Sequence, residues 1–448
     1  MRTGRSHETE ISPVDGHPGS GSPVFTDVTD RTTLARAGAV QAPAAAPRLM
    51  GNAVRRYDWG SRTALARIQG REPAGHTEAE LWIGAHPLAP STVRDLDGRE
   101  ACLAEEVAAD PEGTLGPAGL ERFGPRLPFL LKILAVDRAL SVQVHPDAAQ
   151  AAAGWARQAA GGPRRFTDPW PKPELLVAVT HVEAMAGWRD DATAARLVDL
   201  LDGPRAERLY RAVADGGAPA GLALLAGWPA ADRPALADEA AAAVRVALAG
   251  TAVERDPASL SALMWVSRLL DQHPGDPLVL APLLLEVHLL APGEGLFVPA
   301  GVAHAYLSGL GVEIMGSSDN VVRAGLTSKA VDVPLLLDLL SPDAAPVVAT
   351  ARPVGPAEAV WAPPAREFRL SRIRVRPGAP VSPAPLPGAE SGPQILLCLT
   401  GAVDVCSGGH RVTVRAGESV FLGADVPPVR LVGDGEVYRA CVGAPDPV

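Results

Sequence analysis

Four residues of metal-binding type stand in short, patterned stretches of this chain. In Ser141-Val142-Gln143-Val144-His145, strand alternation puts the Gln143 amide and the His145 imidazole on one face, about 6–7 Å apart along the backbone. Val142 and Val144 take the other face. Glu174 follows Lys172-Pro173 and opens the apolar run Leu175 to Val179, so it stands at the start of a strand. His304 lies just past Phe297-Val298-Pro299-Ala300, where the returning strand of a β-barrel would line its mouth. Two imidazoles, one carboxylate and one amide oxygen make a ligand set for one divalent metal, with room for water or substrate. The other histidines have weaker company. Glu286 and His288 also alternate, but on a strand that reads as half-buried, which suits a solvated pair. His86, between Ala85 and Pro87, reads as a turn residue or as support for the site; His181 is ambiguous. His7, His17, His76, His273 and His410 sit in loop-like or tail sequence.

A second chemistry is anion binding. Only three of the 41 basic residues are lysines: Lys132, Lys172 and Lys329. A bias toward arginine has replaced lysine wherever a solvated charge would serve, so the survivors mark places that need a compact ammonium. The stretch Glu313 to Lys329 is dense in small and polar residues directly after the last candidate ligand. Its Arg323 and Lys329, with hydroxyls from Ser317, Ser318 and Thr327, supply the groups that hold a phosphate. In a chain of net charge −10, such positive charge has to be concentrated locally.

The elements that position these residues follow from pattern. At 448 residues the chain holds two to four domains of roughly 100–200 residues each. Residues 1–49 are rich in Ser, Thr, Gly, Pro and Ala without apolar periodicity and read as a disordered tail, with Met50 a candidate translation start. Residues 50–189 read as the first part of a β domain, with Leu127 to Leu140 as buried strands carrying Lys132. Residues 190–276 are an all-helical insertion. It comprises Thr193 to Asp202 before Gly203, Leu236 to Ala249 before Gly250, and a helix capped by Asp256 with Pro257 at its first position. Residues 277–350 complete the first β domain, and 351–448 form a second. The two are linked by an internal repeat, in which Pro292-Gly293-Glu294-Gly295-Leu296-Phe297-Val298-Pro299-Ala300 matches Ala416-Gly417-Glu418-Ser419-Val420-Phe421-Leu422-Gly423-Ala424. In that register His304 falls opposite Pro428, so the second copy lacks the metal ligand. The fold class is therefore mainly β with a helical insertion, built from cupin-type jelly rolls.

Composition excludes other classes. The longest run free of Asp, Glu, Lys, Arg and His, Gly216 to Ala231, carries Pro219 and Pro229 and falls short of the ~18 apolar residues that span a bilayer. An acidic balance without basic blocks argues against nucleic acid and membrane surfaces as partners. Cys102, Cys398, Cys406 and Cys441 show neither metal spacing nor a disulfide framework. Together with a polar N-terminus, they point to the cytoplasm.

With these stretches in view, the chain resembles the type I mannose-6-phosphate isomerases, zinc enzymes of the cupin superfamily. The stretches that carry the likeness include Tyr57-Asp58-Trp59-Gly60-Ser61, Ala79-Glu80-Leu81-Trp82-Ile83-Gly84-Ala85-His86-Pro87 and Leu127-Pro128-Phe129-Leu130-Leu131-Lys132. Leu140 to Pro146, Lys172-Pro173-Glu174-Leu175, Pro299-Ala300-Gly301-Val302-Ala303-His304-Ala305-Tyr306 and Ser317 to Lys329 continue it in the family's order. The resemblance implies one Zn²⁺ per chain on Gln143, His145, Glu174 and His304. It also implies a sugar-phosphate pocket lined by Trp59, Glu80, Lys132, Ser141, Lys172, Glu313, Asp319, Arg323 and Lys329, and a place in mannose and GDP-mannose metabolism. The expected partner is a small-molecule sugar phosphate, and the expected state is a monomer. One departure stands out: Pro171 occupies the position where the family usually carries a histidine.

The implied reaction moves a proton between C1 and C2 of a sugar through an enediol. Glu313, Asp319 and Lys172 are candidate bases, with Arg323 placed to polarise or orient; the sequence does not choose among them. Two other readings use the same fold. An Fe(II) cupin oxygenase would favour three histidines and a glutamate, which Gln143 opposes. A non-catalytic sugar-phosphate-binding cupin is the reading that Pro171 keeps open.

Overall fold

Every residue of the strand Phe129–Val136 is buried, so alternation of polarity along it is nearly absent. Its two faces nevertheless meet different partners. Phe129, Leu131 and Ile133 enter a core shared with Phe368, Leu370, Ile395, Leu397 and Phe421 of the C-terminal region. Lys132 and Leu134 take the other face. The structure, a computed structural model, describes residues 45–249, 257–385 and 392–444. Around the Lys132 strand, an antiparallel sheet runs in the order Val347–Thr350, Glu294–Val298, Glu174–Ala178, His304–Gly316, Phe129–Val136, Glu80–Ile83 and Ala53–Arg55. Its register sets Glu313 opposite Lys132, and Met315 opposite Glu174.

The long strand His304–Gly316 closes the roll. Its second half lies between the Lys132 and Glu174 strands, while His304 pairs with Gln143 on one side and Ala186 on the other. The bend between the halves is at Gly309, with φ +110° and a virtual Cβ 2.4 Å from the His181 carbonyl oxygen, so only glycine fits. Val142 and Val144 face away from the interior, into a core with Leu222, Leu263 and Leu278 of the helical region. The expected split of Val142/Val144 from Gln143/His145 is thus observed.

Helices Asp191–Asp199, Pro204–Ala226, Arg233–Ala249 and Pro257–Gln272 make up the insertion. The first ends three residues earlier than expected, and Gly203 caps the start of the next helix rather than the end of this one. Pro204–Ala226 was not anticipated, because its non-helical backbone at Gly216 and Gly217 interrupts the period. The expected roles of Gly250 and Asp256 fall outside the described residues. Among the described residues, no helix is long and apolar enough to cross a membrane.

A second antiparallel sheet joins Arg369–Val375, Arg430–Cys441, Gln394–Ser407 and Ser419–Leu422 with Arg48–Gly51. That last strand corrects the boundary drawn at residue 49. Arg48 pairs with Phe421 in the ladder, is buried, and bonds Glu106 at 2.9 Å. Ordered structure therefore begins before Met50, and this strand belongs to the C-terminal sheet. The expected disorder of residues 1–44 falls outside the described residues. The repeat itself is reproduced to the hydrogen bond. Glu294 accepts from the Ala291 N–H and Glu418 from the Arg415 N–H, both at 2.8 Å, beside Gly293 and Gly417, which both have positive φ.

Candidate metal centre and cleft

Among the described residues, one group of side chains could hold a metal ion: His145, Glu174 and His304, with ligand atoms within 4.8 Å of one another. Each is about 1% exposed. The His145 Nδ1–H donates to the Asn320 carbonyl at 2.8 Å, and the His304 Nδ1–H to the Val302 carbonyl at 3.0 Å. Both bonds fix the tautomer that leaves a lone pair on Nε2. Those two Nε2 atoms face the two oxygens of Glu174, at 3.1 and 3.2 Å. The Lys172 ammonium meets the first of these pairs, 3.3 Å from His145 Nε2, while the His304 lone pair and the second Glu174 oxygen still face each other. Lone pairs facing a carboxylate repel without a cation among them, so this donor set fits a metal ion. Burial and the nearby Lys172 ammonium lower His145 to about 3, which keeps the imidazole neutral and able to ligate. The Lys172 ammonium holds Glu174 well below the usual carboxylate range against the effect of burial. The Gln143 amide lies 3.4 Å from His304 Nε2, close enough to offer its oxygen as a fourth donor.

Beside this cluster runs a row of alternating charges on the inner face of the sheet. Lys132 Nζ lies 3.0 Å from Glu313 and 4.0 Å from Glu80, and Lys172 Nζ is in close contact with Glu174. All five side chains are buried. Burial opposes the Lys132 charge, but Glu313 and Glu80 win and hold its ammonium above the usual range. Glu313 goes the other way from Glu174. Burial, with the Glu174 charge, raises its carboxyl above the usual range although Lys132 opposes this. Tyr306, two residues beyond His304 on the same strand, donates from its hydroxyl to Glu174 at 3.2 Å.

These groups form the floor of a cleft of about 780 Å³. All three lysines of the chain line it, as do Trp59, Glu80, Ser141, Gln143, Glu174, Glu313, Asp319 and Arg323. The wholly buried candidate ligands His145 and His304 stand behind that lining. Of the hydroxyls expected to hold an anion, Thr327 lines the cleft together with Ser328. Ser318 does not: it is buried and donates to Asp168 at 2.8 Å. Ser317 lines a neighbouring cavity. His86 supports the site from behind, with its Nε2 at 3.5 Å from Asp319. Glu286 and His288 take no part; His288 bonds the Ala186 carbonyl.

Several cleft residues carried no signal in the sequence. Arg55, Arg138, Gln272, His273 and Tyr306 also line it. Gln272 ends the last helix of the insertion and His273 follows it, so a helical region contributes to a β-barrel site through a contact that no local pattern shows. Asp168 was also missed. Its carboxylate accepts from Trp170 N–H, Ser318 Oγ, Asp319 N–H and Asn320 Nδ2, tying the loop before Lys172 to the loop that holds His145. The scarcity of asparagine, with Asn320 one of two, was the one hint available.

Comparison with known proteins gives one answer. Residues 48–191 match the family description "Phosphomannose isomerase type I, catalytic domain". The mannose-6-phosphate isomerase of Escherichia coli K12 is 34% identical over 406 residues, covering 87% of this chain and 97% of its own. That of Bos taurus is 29% identical over 422 residues, covering 87% and 96%. Among solved structures, a variant of phosphomannose isomerase from Salmonella typhimurium superposes with a TM-score of 0.76 at 30% identity, covering 88% of this chain and 99% of that one. A zinc-bound mannose 6-phosphate isomerase also gives 0.76 at 30% identity, covering 89% and 99%.

Proposed function

Since the chain belongs to the type I mannose-6-phosphate isomerases, zinc-dependent enzymes interconverting mannose 6-phosphate and fructose 6-phosphate, we propose specific roles for its cleft residues. His145, Glu174, His304 and Gln143 hold the zinc, which when bound supplies Lewis-acid stabilisation of charge on the sugar oxygens. Arg323, Lys329 and Thr327 bind the phosphate at the outer end, which fixes C1 and C2 over the floor. Glu313 takes the proton from C2 of the aldose and returns it to C1, while the O2 hydroxyl proton passes to O1. A carboxyl raised by burial is suited to that exchange, since it releases and accepts a proton closer to neutrality. Lys132, paired with Glu313, sets its orientation. Lys172 donates to a sugar hydroxyl next to the metal, and Asp319 accepts from another. Trp59, stacked on Tyr57 at 5.6 Å between ring centroids, walls the sugar, with Glu80 and Ser141 completing the polar lining.

The observation that carries this reading is the convergence of two correctly tautomerised imidazoles on Glu174, at the floor of a cleft that also holds all three lysines. Pro171 leaves that floor intact, so the reading remains enzymatic rather than that of a silent binding protein. We place the protein in the cytoplasm as a monomer, in line with its free cysteines and net charge of −10. A coupled assay for fructose 6-phosphate decides the matter. Protein reconstituted with zinc should turn over mannose 6-phosphate and chelator-stripped protein should not. Absence of turnover in the reconstituted form rules the proposal out.

A further inference from the structure

Leu326 is the one non-glycine residue with positive φ among the described residues, at 54°. A γ-branched, buried side chain in the left-handed region persists only where its surroundings over-determine it. Those surroundings are specific. The Leu326 N–H donates to Asp276 Oδ2 at 2.7 Å. The other Asp276 oxygen accepts from the Leu278 N–H at 2.9 Å and caps the 3-10 turn Pro277–Leu283. Gly325 lies against the same turn, where a Cβ would come within 2.5 Å of Leu278 Cγ. The strand Val322–Gly325 is meanwhile bonded to the Gln143 strand, with Arg323 opposite Gln143. The chain thus leaves the metal strand's neighbour, reverses at Leu326, and presents Thr327, Ser328 and Lys329 to the cleft. Asp276 stands behind this reversal and outside the cleft lining. Three residues before it, His273 does line the cleft, so one carboxylate ties the end of the helical insertion to the phosphate segment.

We infer that Asp276 is a positioning residue for anion binding: its carboxylate fixes the left-handed turn at Leu326 and so aims Thr327, Ser328 and Lys329 at the substrate phosphate. The inference rests on the assignment of that segment to the phosphate, and the test separates the two. Asp276→Asn is nearly isosteric. Its amide oxygen still caps Leu278, but its NH₂ group confronts the Leu326 N–H donor to donor. Asp276→Ser is the second variant, since its short hydroxyl keeps the cap and does not reach Leu326. In the zinc-loaded enzyme, each should raise KM for mannose 6-phosphate and the inhibition constant of inorganic phosphate by about fivefold or more, as expected for loss of a charge-assisted hydrogen bond. Turnover should stay within about twofold, because the reacting carbons are held elsewhere. Zinc content should not change. A role confined to the helix cap would lower the melting temperature and leave phosphate inhibition at the wild-type value. Lys329→Ala provides the reference. If it weakens phosphate inhibition and both Asp276 variants do not, the role of Asp276 is overturned while the cleft assignment stands. If Lys329→Ala itself leaves phosphate inhibition unchanged, the assignment falls and the inference falls with it.

Discussion

The two β regions of this molecule share a hairpin, a turn bond and two glycine bends, yet their interiors are opposites. Gly309 and Gly311 of the strand His304–Gly316 have counterparts in Gly433 and Gly435 of Arg430–Cys441, at the spacing that pairs Gly293 with Gly417. Carried forward, that register sets Glu313 against Val437. Their strand partners follow suit. Lys132 lies opposite Glu313, and Ile373 opposite Val437; Glu174 lies opposite Met315, and Leu396 opposite Arg439. Ile373, Leu396 and Val437 are fully buried in one apolar cluster with Val403 and Val414. Burial there pushes the Cys398 thiol, across from Val437, up to about 12. Beyond this cluster the strand of Val437 carries a buried ion pair, Arg439 with Glu358 at 3.2 Å, whereas the first interior buries three carboxylates and two ammonium groups along its floor. Buried charge is tolerated where it is paired and is costly where it is not. The same backbone therefore supports a reactive cleft in one copy and a structural core in the other, and the choice lies in a handful of inward positions.

Exchanging residues between the copies tests that difference. The largest effect is expected for Glu174→Leu, which puts opposite Met315 the residue type that stands opposite Arg439 in the second region. It removes a ligand and leaves Lys172 buried without its partner, so kcat/KM should fall by about 10³-fold or more, checked by the coupled assay alongside zinc analysis. The reverse exchange, Val437→Glu, buries a carboxylate in the apolar cluster. It should lower stability by about 3 kcal/mol or more in a urea titration, with little change in turnover for the fraction that remains folded.

Lys172→Arg sharpens the comparison within the reactive interior. It keeps the charge but replaces a compact head with a planar fork in a site where the ammonium fits between Glu174 and His145. Zinc should be retained and kcat/KM should drop at least about tenfold, or ~1.4 kcal/mol of transition-state stabilisation. Wild-type turnover would show that the lysine survived the arginine bias by chance. The smallest effect is expected at the seam between the regions. A chain starting at Met50 lacks Arg48 and its bond to Glu106, and should be about 1 kcal/mol less stable than one starting at Ala45, with unchanged KM.

The contrast also explains what could be read in advance. Gln143, His145, Glu174 and Lys132 were legible because a polar residue inside an apolar strand has to be there for a reason, and strand alternation says which side it faces. The repeat was legible because its turn chemistry is local: a glycine with positive φ and a glutamate bonding three residues back. Tyr306, Arg138 and His273 gave no such signal, since their roles arise only when distant segments meet at the cleft. Ser318 misled in the other direction. Its hydroxyl matched an anion site by composition, but the structure commits it to Asp168, a partner 150 residues earlier in the chain. Asp276 gave no signal, since β structure was expected to resume at residue 277, and nothing local reveals that its carboxylate caps a 3-10 turn and holds Leu326.

The central claim is that one metal sits in the first β region and none in the second. Elemental analysis of zinc per chain after exhaustive dialysis tests it most directly, on the intact protein and on the His145→Ala/His304→Ala double variant. The account predicts one zinc per chain in the first and none in the second, with the double variant otherwise folded. A zinc retained by the double variant, or two zincs in the intact protein, would contradict it.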